Sequence, residues 1–488
     1  MNTSDQRQHD AEPGGETLSP RKQAFLENSE ARAATRDRRI ARNGYYYGND
    51  LRYMQSIVPL GMDVLDLGCG TGHLLQGLRP GRGVGVDLSP SMIEVAREKL
   101  PDFEFHVGDV EDVSVLERIE GTFDYILLSD TLSFLEDCED TLLLLHRFCR
   151  RDTRLVIAQY SSAWEPLLTV GEWLGMKARQ PEQNWLSTGD IVALCKLADF
   201  DTVAVDWKQL VPKRLLGMGW LINRLFSNFP FIRRLCLRHY VVARSVRRRR
   251  MAEPPSLSIV IPCRNERGNV EQAVLRTPIM SEQQELIFVE GHSQDGTWDE
   301  ILRVQAAYPD LRIRSMQQTG KGKADAVWAA FDAAEGELLM ILDADLTVPP
   351  ETLPKFYRAI RDGRGEYAMG TRMVYPVAQD AMRFLNYWAN RTFAILFSWL
   401  LRQRITDTLC GTKVLTRASY ERLRRENTLG EEDPFGDFDL ILGAARQYLA
   451  IVEIPIRYAS RDYGETQISR FRHGLMLARM VFNIYRKL

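Results

Sequence analysis

A chain of 488 residues with 45% hydrophobic and 26% charged side chains is too long for one core and ordinary enough in composition to fill two, which excludes a disordered or fibrous protein. The formal net charge of -2 gives no global attraction to polyanions, so nucleic acid is not expected as a partner, although eight arginines fall between Arg233 and Arg250. Its seven cysteines are scattered without a CxxC pair, which excludes a disulfide scaffold and reads as reduced thiols in a cytoplasmic protein.

Residues 1–44 are polar and charged, lack the apolar stretch of a signal peptide, and are expected to form a disordered tail. No uncharged apolar run reaches the ~18 residues of a membrane span, so the chain is expected to be soluble or to lie peripherally at the cytoplasmic membrane face. Val64 to Leu67 has a buried-strand pattern, Gly68, Gly70 and Gly72 make a turn, and an amphipathic helix begins at His73. Glycine is needed there because the backbone takes unusual dihedrals and lets a ligand approach without Cβ clashes. A second strand from Gly83 ends at Asp87, 19 residues beyond Gly68, where a carboxylate can accept hydrogen bonds from both ribose hydroxyls.

The spacing is GxGxG, preceded by the acidic Asp66, and it departs from the GxGxxG of dinucleotide binders. Asp66 to Gly72, Asp87-Leu88-Ser89-Pro90 with Met92, Gly108-Asp109-Val110 and Phe123-Asp124-Tyr125-Ile126 together resemble class I S-adenosylmethionine-dependent methyltransferases. The resemblance implies a Rossmann-like α/β domain over residues 45–206. It also implies that Gly68 and Gly70 back the amino-acid part of S-adenosylmethionine, that Asp87 holds its ribose, and that Asp109 with Val110 frames the adenine. Asp66, Gly72 and Leu88 complete that set, although Gly-Asp before a helix is equally an ordinary turn and N-cap. Methyl transfer is an in-line displacement that rests largely on alignment. Asp130 and His146 are the candidate bases for a protonated acceptor, but helix initiation and core packing explain both more readily.

Residues 207–252 mix aromatic and aliphatic side chains with arginines and are expected to be an amphipathic, basic helical linker. Rings at a headgroup boundary with arginines on anionic phosphates account for the pattern; a helical cover on the first sheet with a solvated cationic face accounts for it equally.

After Pro254-Pro255, Ser256 to Pro262 reads as a new strand opening a domain over residues 253–488. Strand and helix then alternate, which argues for a second, mostly parallel α/β sheet with ligands at the carboxyl ends of its strands. The strand Leu338 to Leu342 is apolar throughout and delivers Asp343 and Asp345 at its end. Two carboxylates in one small turn repel unless a cation compensates them. Hard Mg²⁺ or Mn²⁺ bridging carboxylate and phosphate oxygens does so.

Asn265-Glu266, Ser293 with Asp295-Gly296-Thr297, Gly320-Lys321-Gly322-Lys323, Asp343-Ala344-Asp345, Gly370-Thr371-Arg372, Asp407 to Lys413, Phe438-Asp439 and Arg461 to Thr466 follow in order. This set resembles the family 2 glycosyltransferases of the GT-A fold, and within them the dolichyl- or polyprenyl-phosphate hexose synthases. The resemblance implies a sugar nucleotide donor and a polyprenyl-phosphate acceptor. Pro262, Arg264, Glu266 and Glu290 would line the nucleotide, Lys323 and Ala344 would complete the donor site, and Asp343 and Asp345 would hold the metal and diphosphate. Arg372 and Arg461 would meet phosphate oxygens, for which a guanidinium fork is suited; a surface ion pair is the alternative for each. Lys321 and Lys323 are equally read as solvated charges before a helix. Arg264, Gly291, Thr347 and Ile441 depart from the family pattern, which leaves the nucleotide and the lipid open.

The expected chemistry is inversion at the anomeric carbon by direct displacement. A polyprenyl phosphate is already anionic and needs no strong base, whereas a sugar hydroxyl would call on Asp437 or Asp439. Amphipathic stretches at 383–402 and 476–488 fit an interfacial acceptor, and core helices explain them as well. The resulting expectation is a bifunctional methyltransferase and hexosyltransferase. The alternative is transfer to a glycan hydroxyl, with the first domain a cofactor-binding scaffold.

Overall fold

Short aliphatic runs become strands buried on both faces in the computed structural model, which describes residues 18–173, 181–375, 384–426, 436–459 and Tyr463. The first sheet contains β1 (Asp63–Leu67), β2 (Arg82–Asp87), β3 (Glu104–Val107), β4 (Phe123–Ser129), β5 (Cys149–Tyr160), β6 (Phe200–Lys208) and β7 (Arg238–Ser245), in the order β3-β2-β1-β4-β5-β7-β6. Its pairs are parallel except those that β7 makes with β5 and β6.

The second sheet contains β8 (Leu257–Cys263), β9 (Gln284–Glu290), β10 (Ile313–Gln317), β11 (Leu338–Ile341), β12 (Tyr367–Thr371), β13 (Lys413–Thr416) and β14 (Ile451–Pro455), in the order β10-β9-β8-β11-β13-β12-β14. Here β13 is the antiparallel strand. Each sheet divides two apolar layers by the two-residue alternation of its strands. Leu155 and Ile157 join Leu65 and Leu67 on one face, while Val156 and Ala158 join Val64 on the other. Ile259 and Met340 are separated from Val260 and Leu339 in the same way. In both sheets the strand order reverses beside the first strand, between β1 and β4 and between β8 and β11, and the carboxyl ends at such a point are where open α/β sheets form their ligand crevice.

Two boundaries differ from the sequence expectation. Within the supposed tail, α1 (Pro20–Glu30) and α2 (Ala33–Arg42) form and lead into α3 (Gly44–Ile57). Few apolar residues mark α1 and α2 because polar contacts hold them: Glu30 accepts from the hydroxyls of Ser89 and Ser91, and Asp37 accepts from Thr71 at 2.6 Å and pairs with Lys99 at 2.7 Å. The supposed helical linker contains β7, an interior strand of the first sheet. Its Tyr240 to Ala243 core is flanked by Arg238 and Arg244, which are buried as ion-pair partners rather than solvated. Those arginines disguised the strand. No helix among the described residues is long and apolar enough to cross a membrane.

The domains meet through buried charge. Arg154 on β5 donates to Glu366, the residue before β12, and to the carbonyl of Tyr448 at 2.9 Å. Arg244 on β7 donates to the carbonyls of Gly363 and Arg364 at 3.1 and 3.2 Å. Arg402 pairs with Asp206 at 2.6 Å. The contacts near Glu366 and Tyr448 lie at the amino ends of β12 and β14, so the carboxyl end of the second sheet is turned away from the first domain.

Candidate functional site

At the carboxyl end of the first sheet, Gly68 and Gly70 take positive φ of 83° and 54°. A Cβ on Gly68 would overlap the Thr131 hydroxyl, and one on Gly70 would lie 2.9 Å from the Arg36 Nε; only glycine satisfies both constraints. The next strand end closes over this turn: Asp87 accepts from the Gly70 N–H at 2.7 Å and from the Ser89 N–H at 3.0 Å. Burial raises the Asp87 pKa, with those two N–H groups opposing it. Asp66 sits beneath the turn, 1% exposed, and neither of its carboxylate oxygens has a hydrogen-bond partner among the described residues. Burial, with the charge of Asp87 adding to it, pushes its pKa up to about 7.

Gly72 (φ 73°) closes the turn, and Leu88 is half-buried after Asp87. Asp109 follows β3 with the buried Val110, and Lys22 of α1 pairs with both Asp109 and Glu111. The two N-terminal helices thus drape from Asp109 to the glycine turn. On the far side of the turn, Arg238 is fully buried between Asp130 and Asp50. Its guanidinium lies 5.2 Å from the centre of the Tyr160 ring, which stacks on Tyr46 at 6.0 Å.

At the carboxyl end of the second sheet, β11 releases Asp343 and Asp345 into a turn in which Leu346 takes φ 51°. Asp345 accepts from the Thr347 N–H and hydroxyl at 3.1 and 2.7 Å. Lys323 lies 2.6 Å from Asp343 and 3.9 Å from Asp437. The fully buried Lys413 in turn pairs with Asp437 at 2.6 Å. Burial pulls the Lys323 pKa down, and the charges of Asp343 and Asp437 outweigh it, so the ammonium form is favoured. A Cβ on Gly411 would overlap the Asp343 carboxylate, so the loop from Asp407 to Lys413 is pressed against the aspartate pair.

Neighbouring strand ends complete this crevice. Pro262 is the penultimate residue of β8 with the exposed Arg264 just beyond the strand, and the Gly291 N–H donates to the Cys263 carbonyl at 2.8 Å, tying the end of β9 to that of β8. Glu290 is buried and accepts from the Ser293 N–H, while Glu266 accepts from Asn269 at 2.7 Å. Ala344 is buried between the two aspartates.

Comparison with known proteins fits this geometry. Residues 60–210 match the family model described as a methyltransferase domain, and residues 258–425 match that of glycosyl transferase family 2. The chain joins a methyltransferase domain to a family 2 glycosyltransferase domain. A dolichol-phosphate mannosyltransferase from Pyrococcus furiosus is 28% identical over 235 residues, 47% of this chain and 63% of that protein. Another from Saccharomyces cerevisiae is 33% identical over 129 residues, 25% of this chain and 47% of that protein. The chain therefore spans about half to five-eighths of the length of these relatives. A solved SAM-dependent methyltransferase from Thermotoga maritima aligns over 45% of this chain and 99% of its own at 16% identity, with a TM-score of 0.36.

Two of the candidate residues fall elsewhere, and a third is at its site but paired. In the glycosyltransferase domain Arg372 is directed inward: its Nε and Nη2 donate to Asp407 at 2.7 and 2.8 Å, so its fork braces the Asp407 loop rather than facing the crevice. In the methyltransferase domain His146 bonds Ser245 and the Ala198 carbonyl, both at 2.7 Å, and is a core residue. Asp130 does lie at the site, but Arg238 neutralises it. Arg461 and the stretch 476–488 lie outside the described residues. Asp439 is buried on the first turn of the helix Asp437–Arg446.

Sequence reasoning gave no role to Arg36, to Arg238 or to Lys413, the last quoted only as the end of a motif. The signal for the last two was legible in retrospect, since each is a lone cation entering an apolar strand and needs a buried acidic partner. Arg36 carried none, because its helix has only Ala33 and Ile40 as buried apolar residues.

Proposed function

We propose that the glycosyltransferase domain moves a hexose, with inversion, from a sugar nucleotide to a polyprenyl phosphate, and that the methyltransferase domain binds S-adenosylmethionine and transfers its methyl group. The observation that carries the first reading is the aspartate pair ending β11, with Lys323 and the Gly411 loop packed on it. Among the described residues no cluster of three or more His, Cys, Asp or Glu side chains encloses a cation position. Two carboxylates fit Mg²⁺ or Mn²⁺ nevertheless, because such ions complete their shell with substrate phosphates and water. Asp343 and Asp345 would hold the ion. Bound there, it would supply positive charge against the charge developing on the departing diphosphate.

The protein's own groups do the rest. Thr347 fixes the Asp345 carboxylate through two hydrogen bonds. Lys323 keeps a positive charge at the mouth of the crevice, suited to an anionic diphosphate. Glu266, Glu290 and Pro262 border the nucleoside end. Asp437, which the lysine network links to Asp343, is buried and committed to ion pairs with Lys413 and Lys323. This favours an acceptor that is already anionic over a sugar hydroxyl. The two dolichol-phosphate mannosyltransferases support the same acceptor class by their names.

For the methyltransferase domain, the unpartnered Asp66 carboxylate and a turn that excludes Cβ atoms fit a cofactor with a cationic amino-acid end. Asp87 is in place to hold a ribose. The test is a screen of sugar nucleotides against a short polyprenyl phosphate with Mg²⁺ or Mn²⁺, alongside calorimetric titration with S-adenosylmethionine. Lipid-linked product with one donor and saturable cofactor binding are expected. Turnover with sugar hydroxyl acceptors and none with the lipid phosphate would overturn the acceptor assignment.

A further inference from the structure

Between β6 and β7 the chain leaves the carboxyl end of the first sheet for residues 209–237 and returns. This excursion is anchored from inside: Asn223 bonds the N–H and carbonyl of Val211, both at 2.8 Å, and the hydroxyl of Tyr45 at 3.0 Å. Trp399 of the glycosyltransferase domain donates to the Asn228 carbonyl at 3.0 Å, so the excursion is also braced from the second domain. Its outer side is apolar in a way a soluble cover is not. Leu215, Leu216, Met218, Trp220 and Leu221 are all exposed, and Phe231 is 90% exposed.

Leu215 and Leu216 both take left-handed φ, 41° and 55°, a conformation unfavourable for leucine that here carries both side chains into solvent. The helix Glu165–Trp173 extends the surface. The indole of Trp164, just before it, donates to the Leu235 carbonyl at 2.7 Å. That helix adds exposed Leu167 and Val170, and Trp173 at 83% exposure. Contiguous apolar surface of this kind marks an interaction site.

The charge pattern selects the occupant. Residues 209–237 contain five lysines and arginines and no aspartate or glutamate. Lys213, Arg214, Arg224 and Arg234 are exposed among the apolar residues, and Arg224 lies 5.2 Å from the Trp220 ring centre. A second copy seated on the excursion would set its cations against cations, with only Glu165 and Glu172 of the neighbouring helix as acids on the face. A bilayer with anionic headgroups accepts both kinds of side chain, apolar ones in the acyl boundary and arginines on phosphates.

We infer that the β6–β7 excursion, with the helix Glu165–Trp173, is a membrane-docking surface for anionic lipid, built on the methyltransferase domain. It supports the polyprenyl-phosphate reading and does not depend on it. The methyltransferase domain would thus moor the glycosyltransferase at the bilayer, through the Trp399 contact among others.

The test is flotation of the full chain with phosphatidylcholine vesicles, with and without phosphatidylglycerol. Wild type should float with the anionic vesicles, less so in high salt. Leu216→Asp with Phe231→Asp changes two solvent-facing positions, and aspartate tolerates the left-handed backbone at 216. The pair should lower vesicle partitioning on the order of tenfold or more, whereas Ile279→Asp, an exposed site on the glycosyltransferase domain, should leave it unchanged. Failure of wild type to float, or wild-type flotation by the double variant, would overturn the inference. So would a concentration-dependent dimer in sedimentation velocity that the double variant abolishes, which would assign the face to a second copy. Sugar transfer to a polyprenyl phosphate in detergent should be the same in wild type and variant, so loss of the acceptor reading and loss of the docking surface register separately.

Discussion

One Nη of Arg154 crosses the domain boundary to both carboxylate oxygens of Glu366, 2.8 Å from each. The two side chains are 3% and 8% exposed, so the pair is deep in the joint. It ties the amino end of β12 to β5 in the first sheet and fixes the glycosyltransferase crevice at the opposite end of its sheet. Over the six residue-to-residue steps from Glu366 to Arg372, extended chain at ~3.3 Å per step covers roughly 20 Å.

Removing one partner of a buried pair leaves the other uncompensated. Arg154→Ala should destabilise the protein by about 3–5 kcal/mol, and adding Glu366→Gln should recover part of the loss. Differential scanning calorimetry reads both. Burial raises the Glu366 pKa, but Arg154 and Arg244 outweigh it and the net shift is downward. A depressed carboxylate stabilises above its unfolded pKa, and that contribution disappears as pH falls through the folded value. Wild type should therefore lose its stability advantage over the Arg154→Ala, Glu366→Gln double variant in acid, below the ordinary glutamate range. An unchanged advantage there would contradict the assignment.

Asp66 has the opposite sign. Its folded pKa is raised from 3.8 to about 7 by burial and the Asp87 charge, so the folded state retains a proton that the unfolded chain has released. Stability is then undiminished below about pH 4, declines as pH rises toward 7, and levels above it. Asp66→Asn removes this dependence. Without cofactor, the melting temperature of Asp66→Asn relative to wild type should rise between pH 5 and pH 8, by an amount corresponding to a few kcal/mol at most. The variant should also bind S-adenosylmethionine more weakly at pH 8. Parallel melting curves for the two proteins across that range would rule out a buried, proton-retaining Asp66.

Much of the two sites was legible because their chemistry falls at the ends of apolar strands. Asp66, Gly68, Asp87, Asp343 and Asp345 each end or follow a run whose period marks a buried strand, so residue type and position could be read together. Boundaries were less legible where charge replaced apolar periodicity. Arg238 and Arg244 belong to a buried strand only because Asp50, Asp130, Asp201 and Glu366 come from distant parts of the chain to meet them. The helices over the glycine turn were hidden for the same reason, as Lys22, Glu30 and Asp37 find their partners only in the fold. Arg372 shows the converse: a guanidinium in a motif that suggests phosphate binding has its partner in Asp407, thirty-five positions along the chain, so the ion-pair alternative holds.

Lys323 competes with any cation for Asp343. Lys323→Ala removes an ammonium 2.6 Å from that carboxylate and leaves Asp343 and Asp437 without their shared counter-charge. Mn²⁺ should consequently bind the nucleotide-free variant more tightly than wild type, by about tenfold if the competition is worth one pKa unit. Hexose transfer should fall, because the positive charge beside the diphosphate is gone. Electron paramagnetic resonance of free Mn²⁺ during titration gives the first quantity and product formation the second. Weaker Mn²⁺ binding in the variant would mean that Lys323 organises Asp343 for the metal instead of opposing it.

The two crevices open at the carboxyl ends of separate sheets, and the domain joint reaches the second sheet near its amino end. The Arg154–Glu366 joint therefore offers no short route from one crevice to the other. Asp345→Ala removes a carboxylate from the pair that ends β11 and should reduce sugar transfer on the order of a hundredfold or more. Affinity for S-adenosylmethionine, measured by calorimetry, should stay within the error of wild type. Asp87→Ala should do the reverse, weakening the cofactor by at least about tenfold through loss of the ribose contact while sugar transfer continues. If either substitution impaired both activities in a protein of unchanged melting temperature, the joint at Arg154 and Glu366 would have to transmit a second conformation, and the independence drawn from the strand directions would be wrong.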